Sequence, residues 1–325
     1  MKAMGIDVSM QNVDVALCED GKTFYHGKIQ NDKKGFLEIA NIVKRSKVDL
    51  VVMEATGVYH TQLADYLYEK NIKVSVVNPL IIKRFTQMKL SRTKTDKKDS
   101  ILIALYGYQE NPKLYKPKSE EENELKSLYI TRKGLKKDLK QTKNRLHALS
   151  KRSYHDSFSL FKLNQLKATL EEMIKEIEDR IRTLLKTRFR EEYDLLKDIP
   201  GVGLIGIAGI MGMLGGFENF ENHKQVSAYI GINPSKRQSG KSLNLPDRIS
   251  KKGNSNLREQ FYMMALSAIK SNKACKIFYE RLIANGKSKK QALIAVANKL
   301  IKQVMSILKH KVKYNENHIS VKKVA

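Results

Sequence analysis

The 325-residue chain has two cysteines, six prolines and far fewer acidic than basic residues, 34 Asp+Glu against 61 Lys+Arg. Cys18 and Cys275 are far apart and outside any CxxC pattern, which excludes a disulfide framework and a structural zinc knuckle. No stretch approaches the ~18–20 continuous apolar residues of a membrane span, and MKAMGIDVSM has no apolar core before Asp7 that would make it a secretory signal. With 41% apolar residues, the composition also excludes a wholly disordered or collagen-like chain. No internal repeat of fixed period is present. What remains is a soluble, cytoplasmic protein of two or three domains whose formal charge is +27. A surplus of that size concentrates polyanions, and nucleic acid is the commonest large one; a merely basic or ribosome-associated protein is the bland alternative.

Three regions separate by pattern, at 1–118, 119–198 and 199–325. The first reads as α/β, with strands at Met4–Val8, Val13–Cys18, Thr23–Ile29, Leu50–Met53 and Val74–Val77 and helices around Phe36–Val43 and Thr61–Tyr68. Glu19-Asp20-Gly21 is a good hairpin turn, and the later strands each follow a helix, as parallel additions do. An antiparallel three-strand start followed by α/β units is the ribonuclease-H-like order. The middle region has no proline and only Gly134, and Leu166, Leu170, Met173, Ile177, Ile181 and Leu184 form a coiled-coil-like seam. A looser seam from Leu125 to Leu149 is interrupted at Arg132 and Thr142, with Ser153–Ser159 as the turn between two long helices. Such a hairpin either dimerises or reaches toward nucleic acid, or packs as an ordinary helical pair. The third region opens on glycines (Pro200-Gly201-Val202-Gly203, then GIAGIMGMLGG) and passes through a basic, turn-rich stretch, Asn233–Asn256, into helices over Leu257–Lys273 and Ser288–Lys309. The chain ends in a polar, basic tail.

Four carboxylates carry the chemistry of the first region. Asp7 follows the first apolar strand run, Glu54 ends the run Leu50–Met53, and Asp96 and Asp99 are spaced i, i+3 at a helix start. Mg²⁺ or Mn²⁺ takes oxygen ligands, and two such ions about 3.5–4 Å apart stabilise the attacking and leaving oxygens of a phosphodiester. Taken singly, Asp96 would serve as a helix cap and Asp7 as a surface residue; agreement of all four within a basic background lifts the set. Lys94, Lys97 and Lys98 interleave with the aspartates as phosphate contacts. Asp14, Asp20, Asp32 and Asp49 read as turn or exposed strand positions, and Gly57 and Tyr59 either shape the mouth of the site or begin the next helix.

In the third region, Gly201 and Gly203 resemble the hairpin of a helix-hairpin-helix element, where backbone N–H groups hold a phosphate, although glycines there also serve packing alone. The three-residue glycine steps of GIAGIMGMLGG suit close helix packing. Asn233–Arg258 sets Ser235, Ser239 and Ser242 among Arg237, Lys241, Arg248, Lys251, Lys252 and Arg258. These serines are turn residues, phosphate contacts or nucleophiles, and no His–Asp partner supports a hydrolase triad.

The blocks GIDVS, VVMEATGVYH, VNP and KTDKKDS, followed by IPGVG, YIGINPSKRQSG and ISKKGNSNLR, resemble the DEDD transposases of insertion sequences, more narrowly the bridge-RNA-guided recombinases of the insertion-sequence family numbered one hundred and ten. The match runs in the family's order from about Gly5 to Lys309. It implies a RuvC-like domain whose metal-binding tetrad maps to Asp7, Glu54, Asp96 and Asp99, followed by a mainly helical transposase domain. The nucleophilic serine maps to Ser239, in the Ser239-Gly240 step, with Ser235 as its competitor. The resemblance further implies Mg²⁺, donor and target DNA, a noncoding bridge RNA that pairs with both, and a composite site across protomers of a dimer, or a tetramer on DNA, within the nucleoid. Two rivals follow: a metal-dependent Holliday-junction-resolvase-like nuclease without covalent intermediate, and a non-catalytic nucleic-acid-binding protein.

Overall fold

The computed structural model describes residues 1–90, 95–152, 154, 156–217, 220–239 and 243–316, leaving aside the side chains of 236–239 and 243–247. The chain divides into two compact units, Met1–Pro117 and Lys118–Ala325.

In the first unit, β1 (Lys2–Val8), β2 (Asn12–Glu19) and β3 (Lys22–Gln30) form an antiparallel meander, and β4 (Leu50–Glu54) and β5 (Val74–Val77) add parallel to β1. The sheet order is β3-β2-β1-β4-β5, the ribonuclease-H-like arrangement. The β2–β3 turn falls where Asp20-Gly21 puts it: both residues have positive φ, 49° and 76°, as a type I′ hairpin requires.

The helices divide between the two faces. Met4, Ile6 and Val8 of β1 join one core with residues of α1 (Lys33–Arg45) and α2 (Thr61–Glu69). The alternate residues, Ala3, Gly5 and Asp7, face the other side, where α4 (Asp96–Glu110) lies and α3 (Pro79–Met88) packs on α4. α4 comes very close: a β-carbon on Gly5 would sit 2.1 Å from the backbone nitrogen of Ala104, and one on Gly107 would sit 2.6 Å from Val52 Cγ2.

In the second unit, α5 (Glu120–Ser150) and α6 (Ser157–Arg188) pair as a hairpin, each about 47 Å long at 1.5 Å per residue. Of the expected seam, Leu170, Ile181 and Leu184 are buried, while Leu166 and Met173 are each 42% exposed. The two apparent interruptions are accommodated. Thr142 is buried and its hydroxyl donates to the Asp138 carbonyl at 2.9 Å, and Arg132 pairs with Glu178 at 2.7 Å. α6 begins inside the expected turn because Asp156 caps it, accepting from the Phe158 and Ser159 amides. The base of the hairpin, including Leu125, Tyr129, Ile181 and Leu185, is continuous with the core of the C-terminal helices.

That core is built by α7 (Arg190–Leu196), α8 (Leu204–Gly209), a π-helical turn over Ile210–Leu214, α9 (His223–Ile230), α10 (Ser255–Ser271), α11 (Lys273–Ala284) and α12 (Lys289–His310). The glycine steps do serve packing. β-Carbons at Gly206 and Gly212 would meet Met264 Sδ at 2.5 Å and the Lys126 nitrogen at 2.8 Å. The helix expected over Leu257–Lys273 ends at Ser271, because Asn272 turns the chain and caps α11 through the Cys275 amide at 3.0 Å. The stretch read as turn-rich holds an antiparallel pair, β6 (Pro234–Ser239) and β7 (Leu243–Ile249), a correction to the sequence reading. Cys18 and Cys275 are buried and unpaired. Among the described residues no helix is long and apolar enough to cross a membrane.

Candidate functional site

The first unit assembles its carboxylates by register. Ile6 pairs with Met53 in the parallel β1–β4 ladder, so the next rung sets Asp7 beside Glu54 at the strands' C-terminal ends, on strands about 4.8 Å apart. α4 runs antiparallel to β1. Gly107 lies against Ala3 and Val52, Ala104 and Ser100 lie against Gly5, and the turn before them carries Asp99 and Asp96 to the level of Asp7. The cap of α4 is the Thr95 hydroxyl, which accepts from the Lys98 amide at 3.2 Å, so Asp96 is not needed as a cap.

Electrostatics give the same grouping. Burial, then the charges of Asp99, Asp96, Glu54 and Asp14 in that order, raise the Asp7 carboxyl from the ordinary 3.8 to about 6. A carboxylate so raised is partly withdrawn from water among neighbouring acids, the condition a divalent cation relieves. The set is coupled without being closed: among the described residues, no three His, Cys, Asp or Glu side chains stand close enough to cage an ion.

A fifth acid belongs to this cluster. Asp14, read from the sequence as exposed, is 5% exposed and is the direct cross-strand partner of Asp7. The Tyr25 hydroxyl donates to its Oδ1 at 2.7 Å and the Lys28 ammonium approaches at 3.8 Å. Asp14 pushes the Tyr25 phenol up to about 12, so it remains a donor. Lys97, one of the expected phosphate contacts, stands 4.9 Å from the centre of the Tyr25 ring. Asp14 could have been found from the short β1–β2 connection, which puts Asp7 and Asp14 opposite each other once the turn is centred on Met10-Gln11. Tyr25→Phe keeps the ring and removes the donor. We expect it to lower stability by about 1–3 kcal/mol in chemical denaturation, because Asp14 is left buried with only a distant cation. Two other acids read as turn or exposed strand positions are structural: Asp32 caps α1 through Gly35, and Asp49 accepts from the Lys2 amide at 2.6 Å.

The third-region residues divide. Gly201, with φ +95°, is pressed on α10, where a β-carbon would sit 2.7 Å from the Ala268 Cα; Gly203 caps a six-residue helix in open space. Arg258 donates to the Ile230 carbonyl at 2.9 Å, which ties α10 to the end of α9. Arg248, Lys251 and Lys252 are exposed, and Lys98 is exposed on α4. Ser235 pairs with Arg248 and Ser239 with Leu243 along the β6–β7 backbone. The side chains of Arg237 and Ser239, and residues Lys94, Lys241 and Ser242 entirely, lie outside the described residues.

Comparisons with known proteins bear on both units. Residues 4–155 match a family model described as a DEDD transposase, and residues 193–280 match that of the transposase IS116/IS110/IS902 family. A pilin gene-inverting protein of Moraxella lacunata is 31% identical over 304 residues, covering 92% of each chain, and one from Moraxella bovis is also 31% identical. The transposase for insertion sequence element IS1111A of Coxiella burnetii is 23% identical, over 92% of this chain and 87% of its own. Among solved structures, Thermus thermophilus RuvC in complex with a Holliday junction substrate aligns with 35% of this chain and 99% of its own, at 12% identity and a TM-score of 0.28. The sheet order, not that score, carries the fold assignment. An open ribonuclease-H-like sheet with acids at its strand ends, the two family models and relatives alike over nearly the whole length agree: the chain belongs to the IS116/IS110/IS902 family of transposases.

Proposed function

We propose that the protein excises and inserts DNA by strand exchange, with Asp7, Glu54, Asp96 and Asp99 holding Mg²⁺ and Ser239 attacking the phosphodiester. The observation that carries the metal site is the convergence on Asp7: the β1–β4 ladder sets Glu54 beside it, α4 brings Asp96 and Asp99 to the same level, and burial followed by these acids raises its carboxyl. Oxygen-only ligands suit Mg²⁺ or Mn²⁺, which would neutralise charge developing on the phosphate. The Ser239 oxygen bonds to phosphorus, its proton leaves to solvent or base, and the departing sugar oxygen takes up a proton. Reversal of that step on a second strand rejoins DNA without an external energy source. The pilin gene-inverting relatives support rejoining over simple cutting, since inversion of a gene requires both. Lys97 and Lys98 near the acids, and Arg237, Lys241, Arg248, Lys251 and Lys252 around β6–β7, are the proposed phosphate contacts. Arg258 is assigned to bracing as well. A noncoding guide RNA and assembly as a dimer, or a tetramer on DNA, complete the reading.

A denaturing gel of the protein with its flanking DNA and Mg²⁺ tests it. Wild type should yield protein-linked DNA, and Ser239→Ala should abolish that species while the fold, read by circular dichroism, is unchanged. Loss in Ser235→Ala instead moves the nucleophile to that residue. Cut DNA with no protein attached supports the resolvase-like nuclease, and no cleavage by wild type, with nucleic-acid binding unchanged when all four acids are replaced by alanine, leaves only a binding protein. Sequencing the nucleic acid that copurifies tests the guide: one discrete RNA from beside the gene is expected, and a smear of cellular RNA would overturn it.

A further inference from the structure

A second site in the C-terminal unit adjoins the proposed phosphate contacts Arg248 and Lys251 and holds none of the residues proposed to react. A cavity of about 840 Å³ opens beside the base of the β6–β7 hairpin, between α10, the end of α11 and the first turns of α12. Its volume is in the range of about 300–1,000 Å³ that small-ligand sites occupy. Ile232, Ile249, Tyr262, Leu282 and Ile294 form its wall, with Ala295 at the side. Arg248, Lys251, Lys287 and Lys290 stand around it, all exposed. Among the described residues Glu259 is the only acid lining it, and that carboxylate is already paired with Lys133 at 2.5 Å.

An apolar, half-open hole with an aromatic ring in its wall and a cationic rim matches a nucleotide, apolar base inward and phosphates outward. A peptide side chain would fill the hole and leave the four cations unanswered. Duplex DNA keeps its bases stacked and meets only the rim. The complementary ligand is therefore a base out of its stack, with Tyr262 as the stacking surface and the rim on the adjoining phosphates. We infer that this cavity captures an unpaired base of a DNA strand during recombination; the choice of DNA rests on the strand-exchange reading above. Pro234 and Ile249 are register partners at the hairpin base and Ser239 lies five residues along β6. At about 3.3 Å per residue the cavity mouth is about 17 Å from the Ser239 backbone, or about five nucleotides at B-form spacing. Strands that change partners must leave one duplex before entering another, and a pocket at that distance holds the released segment clear of the cut.

The test is fluorescence anisotropy on the full chain, in EDTA and at fixed salt, with a short mixed-sequence DNA strand, the same strand with every base removed, and the same sequence as RNA. The base-bearing DNA strand should bind about tenfold more tightly than the abasic one. Ala295→Trp, which fills the cavity, should erase that difference. Lys287→Glu combined with Lys290→Glu, at exposed positions that leave the core intact, should weaken both strands about tenfold. If Ala295→Trp melts early, Tyr262→Leu reads the same loss of stacking. Equal binding of base-bearing and abasic DNA, or a difference that survives Ala295→Trp and Tyr262→Leu, overturns the inference. Tighter binding of the RNA with the same response to the variants overturns the DNA assignment and gives the cavity to the guide. No strand is cut in EDTA, so a failure of Ser239 to form protein-linked DNA would leave this result standing, and the reverse holds as well.

Discussion

Asp7→Asn is expected to make the metal-free protein more stable at pH 7.5 while removing strand cleavage. The wild-type carboxyl is raised from 3.8 to about 6, chiefly by burial and then by Asp99 and Asp96. For a carboxylate raised in the folded state, the associated stability is fully present below pH 3.8 and is lost as pH climbs through about 6. At pH 7.5 the group is ionised against its neighbours, at a cost we place at about 1–2 kcal/mol after allowing for the solvent that reaches it. Asparagine has nearly the same shape and never ionises, so it removes that cost. Melting curves across pH should show the two proteins alike near pH 4, with the variant ahead above pH 6. Mg²⁺ should raise the wild-type melting temperature at pH 7.5 and leave that of Asp7→Asn almost unchanged. Cleavage should fall roughly a thousandfold, because the oxygens that would hold the ion against the phosphate are reduced by one ligand. A wild-type stability that is flat from pH 4 to pH 7, or a variant less stable than wild type in metal-free buffer, would show that the acids are not crowded around Asp7.

What the sequence disclosed follows the strength of its local signals. Short apolar, β-rich runs and a two-residue Asp-Gly turn make β1 to β5 readable, because the runs are buried in the sheet and the turn residues are locked at positive φ. The β6–β7 pair is not readable: Pro234 and Pro246 lie within strands, and apart from Leu243 and Leu245 the residues between are charged, polar or glycine. The tetrad could be proposed because each acid sits at an element end, a position visible in one dimension. Asp14 is legible only as the residue opposite Asp7 across the short β1–β2 connection; its burial is not, because alternation in Val13–Cys18 shows two faces without saying that both are covered. Only α4, packed across the far face, makes Asp14 a buried neighbour of Asp7. The two exposed positions of the α6 seam have a related cause. A repeat of leucines and isoleucines says that a stripe is apolar, and Leu166 and Met173 have no described neighbour in this chain to cover them fully.

Gly5→Ala should be a severely damaging substitution of a single methyl group at the candidate site. Its β-carbon would lie 2.1 Å from the Ala104 nitrogen, 2.3 Å from the Ser100 carbonyl oxygen and 2.7 Å from the Ala104 Cα. All three are backbone atoms of α4, so no side-chain rotation relieves them. The helix must retreat by more than about 1 Å to reach ordinary contact near 3.5 Å. We expect a loss of about 3 kcal/mol in chemical denaturation, at the upper end for overpacking a core. The same displacement carries Asp96 and Asp99 away from Asp7, and a shift of about 1 Å at reacting groups lowers rate by roughly a hundredfold. Two other glycines calibrate the result. Gly107→Ala meets the tip of the Val52 side chain at 2.6 Å, which can rotate, so its effect should be milder. Gly134→Ala, in the exposed interior of α5 with nothing within 4 Å, should stabilise by about 0.5–1 kcal/mol. If Gly5→Ala melts with wild type and cleaves at the wild-type rate, α4 does not cross β1 at that residue. The helix acids would then need another route to the sheet, because the contact at Gly5 sets how far down the strand Asp96 and Asp99 can reach.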